Sequence, residues 1–301
     1  MIPRSRVALG GLLLGLVGIG VDASAQGTRV SEEVVAVGGA DIYYRSLGEG
    51  PPLLLLHGYH GAGQLWEPYV GLLQQGYRLI IPDLRGHGRS TNPSQQFSHR
   101  LVASDLLALL KTLDAGPVRA IGYSSGAIAL LELARLAPDQ LEAMVLVDGT
   151  HRFSSETRAM FARVNTADWM SSEPRWWESV LKWHPGGVDQ LRELRIELVA
   201  MAADPLEGVF TDEELRRIRV PTLIVHGDRD EVYPVDGALA LQRLLPRAEL
   251  WVMPGVGHES VFSYYLVPPG EACRPCEVAG MQFVPVIREF FGRTRTGGPF
   301  R

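Results

Sequence analysis

Residues 118–136 read VRAIGYSSGAIALLELARL. The first six, Val118–Tyr123, are rich in β-branched and apolar residues and are short enough for a buried strand. From Ser125 to Leu136 the pattern is that of a helix. Between them stands Gly122-Tyr123-Ser124-Ser125-Gly126, a G-x-S-x-G motif at a strand-to-helix turn. Such a turn strains the backbone of the central serine and needs small flanking residues. It also lifts the hydroxyl above the sheet, at the positive end of the following helix. Ser124 is therefore the candidate nucleophile, and Ser125 contributes its backbone N–H.

Working outward, apolar strands alternate with helical patterns. Val34–Val37 and Asp41–Ser46 read as a strand pair joined by Gly38-Gly39. Pro52–His57 is a continuous apolar run, as expected for a strand buried on both faces. Helices are predicted over Gln64–Gln75, Phe97–Leu113, Val235–Leu245 and Val284–Phe291. Further strands are predicted at Tyr77–Ile81, Met144–Val147, Pro221–His226 and Glu249–Val252. Alternation of this kind implies a mostly parallel sheet with helices on both faces. Residues 151–218 break it. They lack a good strand and hold four of the six Trp, at Trp169, Trp176, Trp177 and Trp183. They read as a helical insertion with a small core of its own, and as a lid over a site.

A serine hydroxyl needs a base to become nucleophilic, and the base needs an orienting acid. With a strand-turn-helix nucleophile the chain order is Ser, acid, His. Downstream, Thr222–Asp230 is a strand running into an acidic loop, and Pro254-Gly255-Val256-Gly257-His258 follows the next strand. Both loops fall where an open parallel sheet places its ligands. His258 is the candidate base. Asp230 is the candidate acid, with Asp228 as the alternative and as a brace for the loop. An oxyanion hole needs two N–H donors. Ser125 supplies one, and Tyr59, in the loop His57-Gly58-Tyr59-His60-Gly61, the other. His57 reads as a brace for that loop rather than a second base.

With these motifs in view the chain resembles the α/β-hydrolase superfamily over residues 34–295. The resemblance is carried by HGYHG at His57, DLRGHGRS at Asp83–Ser90, GYSSG at Gly122, HGDRDEVYP at His226 and GVGHES at Gly255. It implies an α/β-hydrolase core with Ser124, Asp230 and His258 as nucleophile, acid and base. It also implies a structural role for Asp83–Ser90. Serine at position 124, in place of an aspartate, argues against alkyl-enzyme chemistry. The absence of a proline just after His57-Gly58 argues against peracid chemistry.

The N-terminus carries its own signal. Arg4 and Arg6 precede an uncharged apolar run, Val7–Val21, and then Ala23-Ser24-Ala25. These are the three parts of a secretory signal peptide, with cleavage predicted after Ala25. The run is short for a bilayer span, which takes about 20 residues, so an uncleaved anchor is the lesser alternative. The expected division is therefore signal peptide 1–25, core 26–150 and 219–301, and lid 151–218. The expected compartment is extracytoplasmic, secreted or periplasmic. There Cys273-Arg274-Pro275-Cys276, read as a loop before the last helix, would form a local disulfide. Two free thiols remain open. A zinc site would need two further ligands, and a redox dithiol a different context.

Composition sets the bounds. With 46% hydrophobic and 21% charged residues the 301-residue chain is not disordered. A net charge of -5 leaves no basic footprint for nucleic acid. The expected activity is acyl transfer on a small molecule with an apolar or aromatic part, a carboxylic ester or lactone. Amide, peptide or carbon–carbon bond cleavage uses the same triad and stays open. A non-catalytic binding protein on this scaffold and a thiol-redox protein using Cys273 and Cys276 are the rivals from other classes. No metal or organic cofactor is implied.

Overall fold

The computed structural model describes residues 30–163, 174–262 and 274–295. The signal peptide expected at 1–25, Trp169 and Cys273 lie outside them. Eight strands form one sheet in the order β1-β2-β4-β3-β5-β6-β7-β8. They are β1 (Ser31–Val37), β2 (Ala40–Leu47), β3 (Pro52–Leu56), β4 (Arg78–Pro82), β5 (Val118–Tyr123), β6 (Leu141–Val147), β7 (Thr222–Gly227) and β8 (Ala248–Met253). β1–β2 and β2–β4 pair antiparallel, and every other pair is parallel. Gly38 and Gly39 turn the β1–β2 hairpin with φ of 53° and 77°. Two consecutive positive φ values are what a tight two-residue hairpin demands, which is why glycine stands at both.

The buried run Leu53–Leu56 shows how the sheet is sandwiched. Side chains alternate across a strand. Leu54 and Leu56 join the core on one face, with Leu106, Leu109, Ile128 and Leu131. Leu53 and Leu55 join the core on the other, with Trp66, Tyr69, Phe283 and Ile287. All four leucines are fully buried, and each such side chain stabilises the fold by about 2 kcal/mol.

The helices are α1 (Glu67–Leu73), α2 (His99–Thr112), α3 (Ser125–Leu136), α4 (Ser155–Arg163), α5 (Pro174–Trp183), α6 (Gly187–Ala203), α7 (Asp212–Arg217), α8 (Val235–Leu244) and α9 (Arg274–Arg295). Ser98 caps α2 by accepting from the Leu101 N–H. Thr211 and Glu214 form a reciprocal capping box on α7. Helices α4 to α7 all lie between β6 and β7, as the break in alternation at 151–218 predicts. Trp177 and Val180 of α5 with Leu191 and Leu194 of α6 form a small separate core, while Phe161 of α4 and Leu215 of α7 pack on the main one.

The last helix differs from the sequence reading. It begins ten residues before the predicted Val284, and Pro285 sits inside it. Proline lacks the N–H for an interior helical bond, so the pattern breaks where the helix does not. Burial of Ala279, Phe283, Val284, Ile287 and Phe290 against the sheet outweighs that defect. Cys276 consequently stands in the first turn of α9, not in a loop. It is buried and carries no free thiol. Among the described residues no helix is long and apolar enough to cross a membrane.

The Asp83–Ser90 loop is structural, as the resemblance implies. Arg85 makes a two-pronged ion pair with Asp105 of α2, at 2.8 and 2.7 Å, and its guanidinium also donates to the Gly38 carbonyl. The pair locks the hairpin, the loop and α2 together. Its side chains are only 1% and 4% exposed. Asp105→Asn would leave a buried guanidinium without its counter-charge, at a cost of about 3–5 kcal/mol. The expected result is a lower urea midpoint with an unchanged slope, and an unchanged midpoint would refute the account.

Candidate active site

The turn after β5 makes the site possible. Ser124 has φ 52° and ψ −117°, a conformation that L-residues avoid. It is held there by its own N–H, which donates to the Val147 carbonyl at 2.8 Å, and by the absence of side chains nearby. A Cβ on Gly122 would lie 2.4 Å from the Gly126 carbonyl oxygen, and one on Gly126 2.6 Å from that of His57. Only glycine fits at either position, so the motif is a steric requirement of the turn.

The predicted acid and base arrive from the ends of β7 and β8. His258 Nε2 lies 2.9 Å from Ser124 Oγ, and His258 Nδ1 lies 2.9 Å from Asp230 Oδ2. The other carboxylate oxygen of Asp230 accepts from the N–H groups of Val232 and Tyr233 at 2.8 and 2.7 Å. Asp230 is thus fixed on both sides. With Nδ1–H donating to it, Nε2 is free to accept the serine proton. Asp228 does not share this role, because it accepts from the Gly255 N–H and braces the loop that carries His258. Burial pushes the imidazole of His258 down, but the hydrogen bond and charge of Asp230 outweigh it and hold the group above its ordinary value.

On the far side, a Cβ on Gly58 would lie 3.1 Å from Ser124 Cβ. The loop carrying Tyr59 therefore runs directly beside the nucleophile. Ser125 occupies the first position of α3, where an N–H has no intrahelical acceptor. His57 braces, as predicted. It accepts from the Leu84 N–H through Nε2 at 2.9 Å, which leaves Nδ1–H to donate to the Gly58 carbonyl at 2.7 Å. Burial lowers its pKa to about 3, so it stays neutral.

Several residues here were invisible to sequence reasoning. Asp148, at the end of β6, accepts from the Gly227 N–H and from Ser260, joining the two loops that hold acid and base. Burial pushes it up to about 8, against the attraction of His258 and with the repulsion of Asp230. Asp148, His226 and Asp230 bring candidate metal-ligand atoms within 4.8 Å of one another. The carboxylate oxygens of both aspartates and Nε2 of His226 are already engaged by protein groups. Tyr233 packs edge-on against the ring of His258. His99, at the start of α2, lies 2.8 Å from Ser125 Oγ and 2.5 Å from Glu207.

The insertion reaches three of the loops around the site. Tyr59 donates through its hydroxyl to the Leu194 carbonyl of α6, and Trp177 of α5 meets His60 edge to face. Gln190 donates to the carbonyls of Gly86 and Gly88. Thr157 of α4 donates to the Val232 carbonyl, beside Asp230.

Comparison with known proteins gives the family of the chain. The model of the alpha/beta hydrolase family matches residues 53–268. A Synechocystis protein named as a non-heme chloroperoxidase is 31% identical over 245 residues, covering 72% of this chain and 88% of the relative. A pimeloyl–acyl-carrier-protein methyl ester esterase of Nitrosospira multiformis is 27% identical over 252 residues, covering 76% and 95%. Among solved structures, the meta-cleavage product hydrolase of Pseudomonas fluorescens IP01 superposes with a TM-score of 0.68 at 21% identity, covering 87% of this chain and 97% of that one. That likeness speaks to the fold alone. The family match and the 31% relative together place this chain in the alpha/beta hydrolase family, as a hydrolase.

Proposed function

We propose that the chain is a serine hydrolase acting on a carboxylic ester or lactone, and that it works outside the cytoplasm. One observation carries the reading: the unbroken relay from Ser124 through His258 to Asp230, with both links at 2.9 Å. His258 removes the Ser124 proton as the oxygen attacks the carbonyl carbon. The oxyanion is held by the N–H groups of Tyr59 and Ser125. His258 then hands the proton to the leaving alcohol, and the same steps with water release the acid. Asp230 keeps the imidazole in the working tautomer and stabilises the imidazolium.

Helices α4 to α7 serve as the lid. Their contacts with the loops at Tyr59, Gly86 and Val232, with the rings of Trp177 beside His60 and Phe161 beside Tyr233, support a substrate with an apolar or aromatic part. The esterase among the relatives supports ester cleavage. The relative named for chloroperoxidase makes perhydrolysis the competing outcome, with hydrogen peroxide in place of water at the acyl-enzyme. Export rests on Arg4, Arg6, the run Val7–Val21 and Ala23-Ser24-Ala25. Pairing of Cys273 with Cys276 would be a staple suited to that compartment.

A fluorophosphonate probe is expected to label one residue, Ser124. Intact mass of the labelled native protein is expected to show a chain starting at Gln26, with both cysteines oxidised. Rates on p-nitrophenyl esters of increasing chain length, with and without hydrogen peroxide, then separate hydrolysis from peracid formation. No labelling at Ser124 would overturn the serine-hydrolase reading.

A further inference from the structure

We propose that His99 and Glu207 form a second relay, which positions the oxyanion-hole residue Ser125 and ties its geometry to the seating of the insertion. The proposal rests on the serine-hydrolase reading above. Its pattern parallels the catalytic relay one residue along the chain. Ser125 Oγ lies 2.8 Å from His99 Nε2, and His99 Nδ1 lies 2.5 Å from Glu207 Oε1. All three side chains are buried. Glu207 also accepts from the backbone N–H of His99 at 3.0 Å. One carboxylate oxygen therefore serves the start of α2 and the ring together. With Nδ1–H donating to Glu207, Nε2 accepts from the Ser125 hydroxyl.

Two features make this more than a buried ion pair. The first is where it ends. Ser125 is the first residue of α3 and stands directly after the strained Ser124. Its N–H must aim at the developing oxyanion, and a small error in aim there is costly. A serine hydroxyl near a helix start is free to bond to nearby backbone instead. His99 removes that freedom and fixes the side chain to α2, an element outside the strained turn.

The second feature is where the relay begins. Glu207 lies in the turn between α6 and α7, within the insertion. Arg158 of α4 binds that turn, donating to the carbonyls of Ala202, Asp204 and Glu207 at 2.7, 2.7 and 2.9 Å. Its guanidinium also lies 5.3 Å from the ring centre of Phe153. Phe153 in turn meets His99 edge-on and stacks on Tyr233, the neighbour of His258. The insertion is thus connected through Arg158, Glu207 and His99 to the N–H that would bind the oxyanion. Burial pushes Glu207 up, but the hydrogen bonds from His99 outweigh it and keep the carboxyl below its ordinary value. The acceptor that the relay needs is therefore present.

A positioning role predicts a specific kinetic split. In His99→Ala, the rate of labelling by a fluorophosphonate and kcat on p-nitrophenyl butyrate should each fall about tenfold or more, with KM within about twofold of wild type. Ser125→Ala should give the same loss, and the double variant no further loss, because both act through one link. Affinity for a boronic acid that mimics the tetrahedral state should fall by the same factor as kcat. Glu207→Gln, which keeps the shape of the side chain, should show the same split and covers the case in which His99→Ala fails to fold.

The positioning role is overturned if folded His99→Ala or Glu207→Gln keeps wild-type labelling rate and kcat, even with a lowered Tm. It is also overturned if the losses in Ser125→Ala and His99→Ala add. Wild-type protein that fails to label at Ser124 would remove the serine-hydrolase reading itself, and this proposal with it. Wild-type protein that labels, beside variants that label equally fast, would remove the proposal alone.

Discussion

Ser124→Ala is expected to lower kcat on p-nitrophenyl esters by about 10⁴-fold or more, with KM little changed and the fold intact. The expectation follows from the relay. His258 is positioned to take a proton from one atom, Ser124 Oγ at 2.9 Å, and without that atom the base has no proton to take. A water attacking directly would still meet the oxyanion donors, so a small residual rate is expected. Ser124→Gly should be as inactive, and it should raise Tm by roughly 2–4 °C. The wild-type residue is held at φ 52° and ψ −117°, at a cost of order 1–3 kcal/mol that glycine largely avoids. Part of that gain is lost to the freer unfolded chain. Retained turnover in Ser124→Ala would remove the nucleophile from the mechanism. A lower Tm in Ser124→Gly would show that the turn is not strained.

The same turn explains what was legible in the sequence. A nucleophile elbow needs a strand, a serine, glycines at both flanks and a helix in unbroken succession, so its evidence is local. The steric reason is equally local, since Gly122 faces Gly126 across the turn. Asp230 and His258 were legible because each lies in a short loop after a strand of the sheet. Their separation along the chain did not matter, since the parallel sheet brings strand ends to one edge. The unbroken apolar run Leu53–Leu56 pointed in the same local way to a strand buried on both faces.

What was not legible depends on pairs rather than patterns. Glu207 lies in a polar turn of the insertion, and nothing around it points to His99. His99 reads as an ordinary residue near the start of an amphipathic helix. Asp148 follows β6 in the sequence as any turn aspartate would, although it joins Gly227 to Ser260. The start of α9 was missed for a different reason. Pro285 lowers helix preference in the interior, while the force that makes the helix is burial against the distant sheet. The bracing roles of His57 and Asp228 lie in between. Each was suggested by its motif, but which carbonyl or N–H it would hold is set by a neighbouring loop.

Asp230→Asn should produce the second large effect, with a signature in pH that a simple loss of structure would not give. In wild type, two opposing influences act on His258. Burial disfavours the imidazolium, and the hydrogen bond and charge of Asp230, with smaller help from Asp148 and Glu231, favour it and win. A general base works when neutral, so the acid limb of kcat/KM should fall above the ordinary imidazole value of about 6.5. In Asp230→Asn the largest favourable influences vanish and burial remains. The acid limb should then move to lower pH, while kcat at its plateau falls by about 10⁴-fold, because the amide no longer holds Nδ1 as the donor. Loop geometry should survive, since Asn keeps an oxygen for the N–H groups of Val232 and Tyr233. The stability record carries the same sign. A raised folded-state pKa contributes stability that is fully present below the unfolded value and is lost as pH rises through the folded value. The imidazole's share of the stability gap between wild type and Asp230→Asn should therefore be widest in acid and shrink towards alkaline pH. Measured kcat/KM profiles of both proteins decide the matter. An acid limb that stays in place after the substitution would mean that Asp230 does not set the basicity of His258, and the relay would then end at the imidazole.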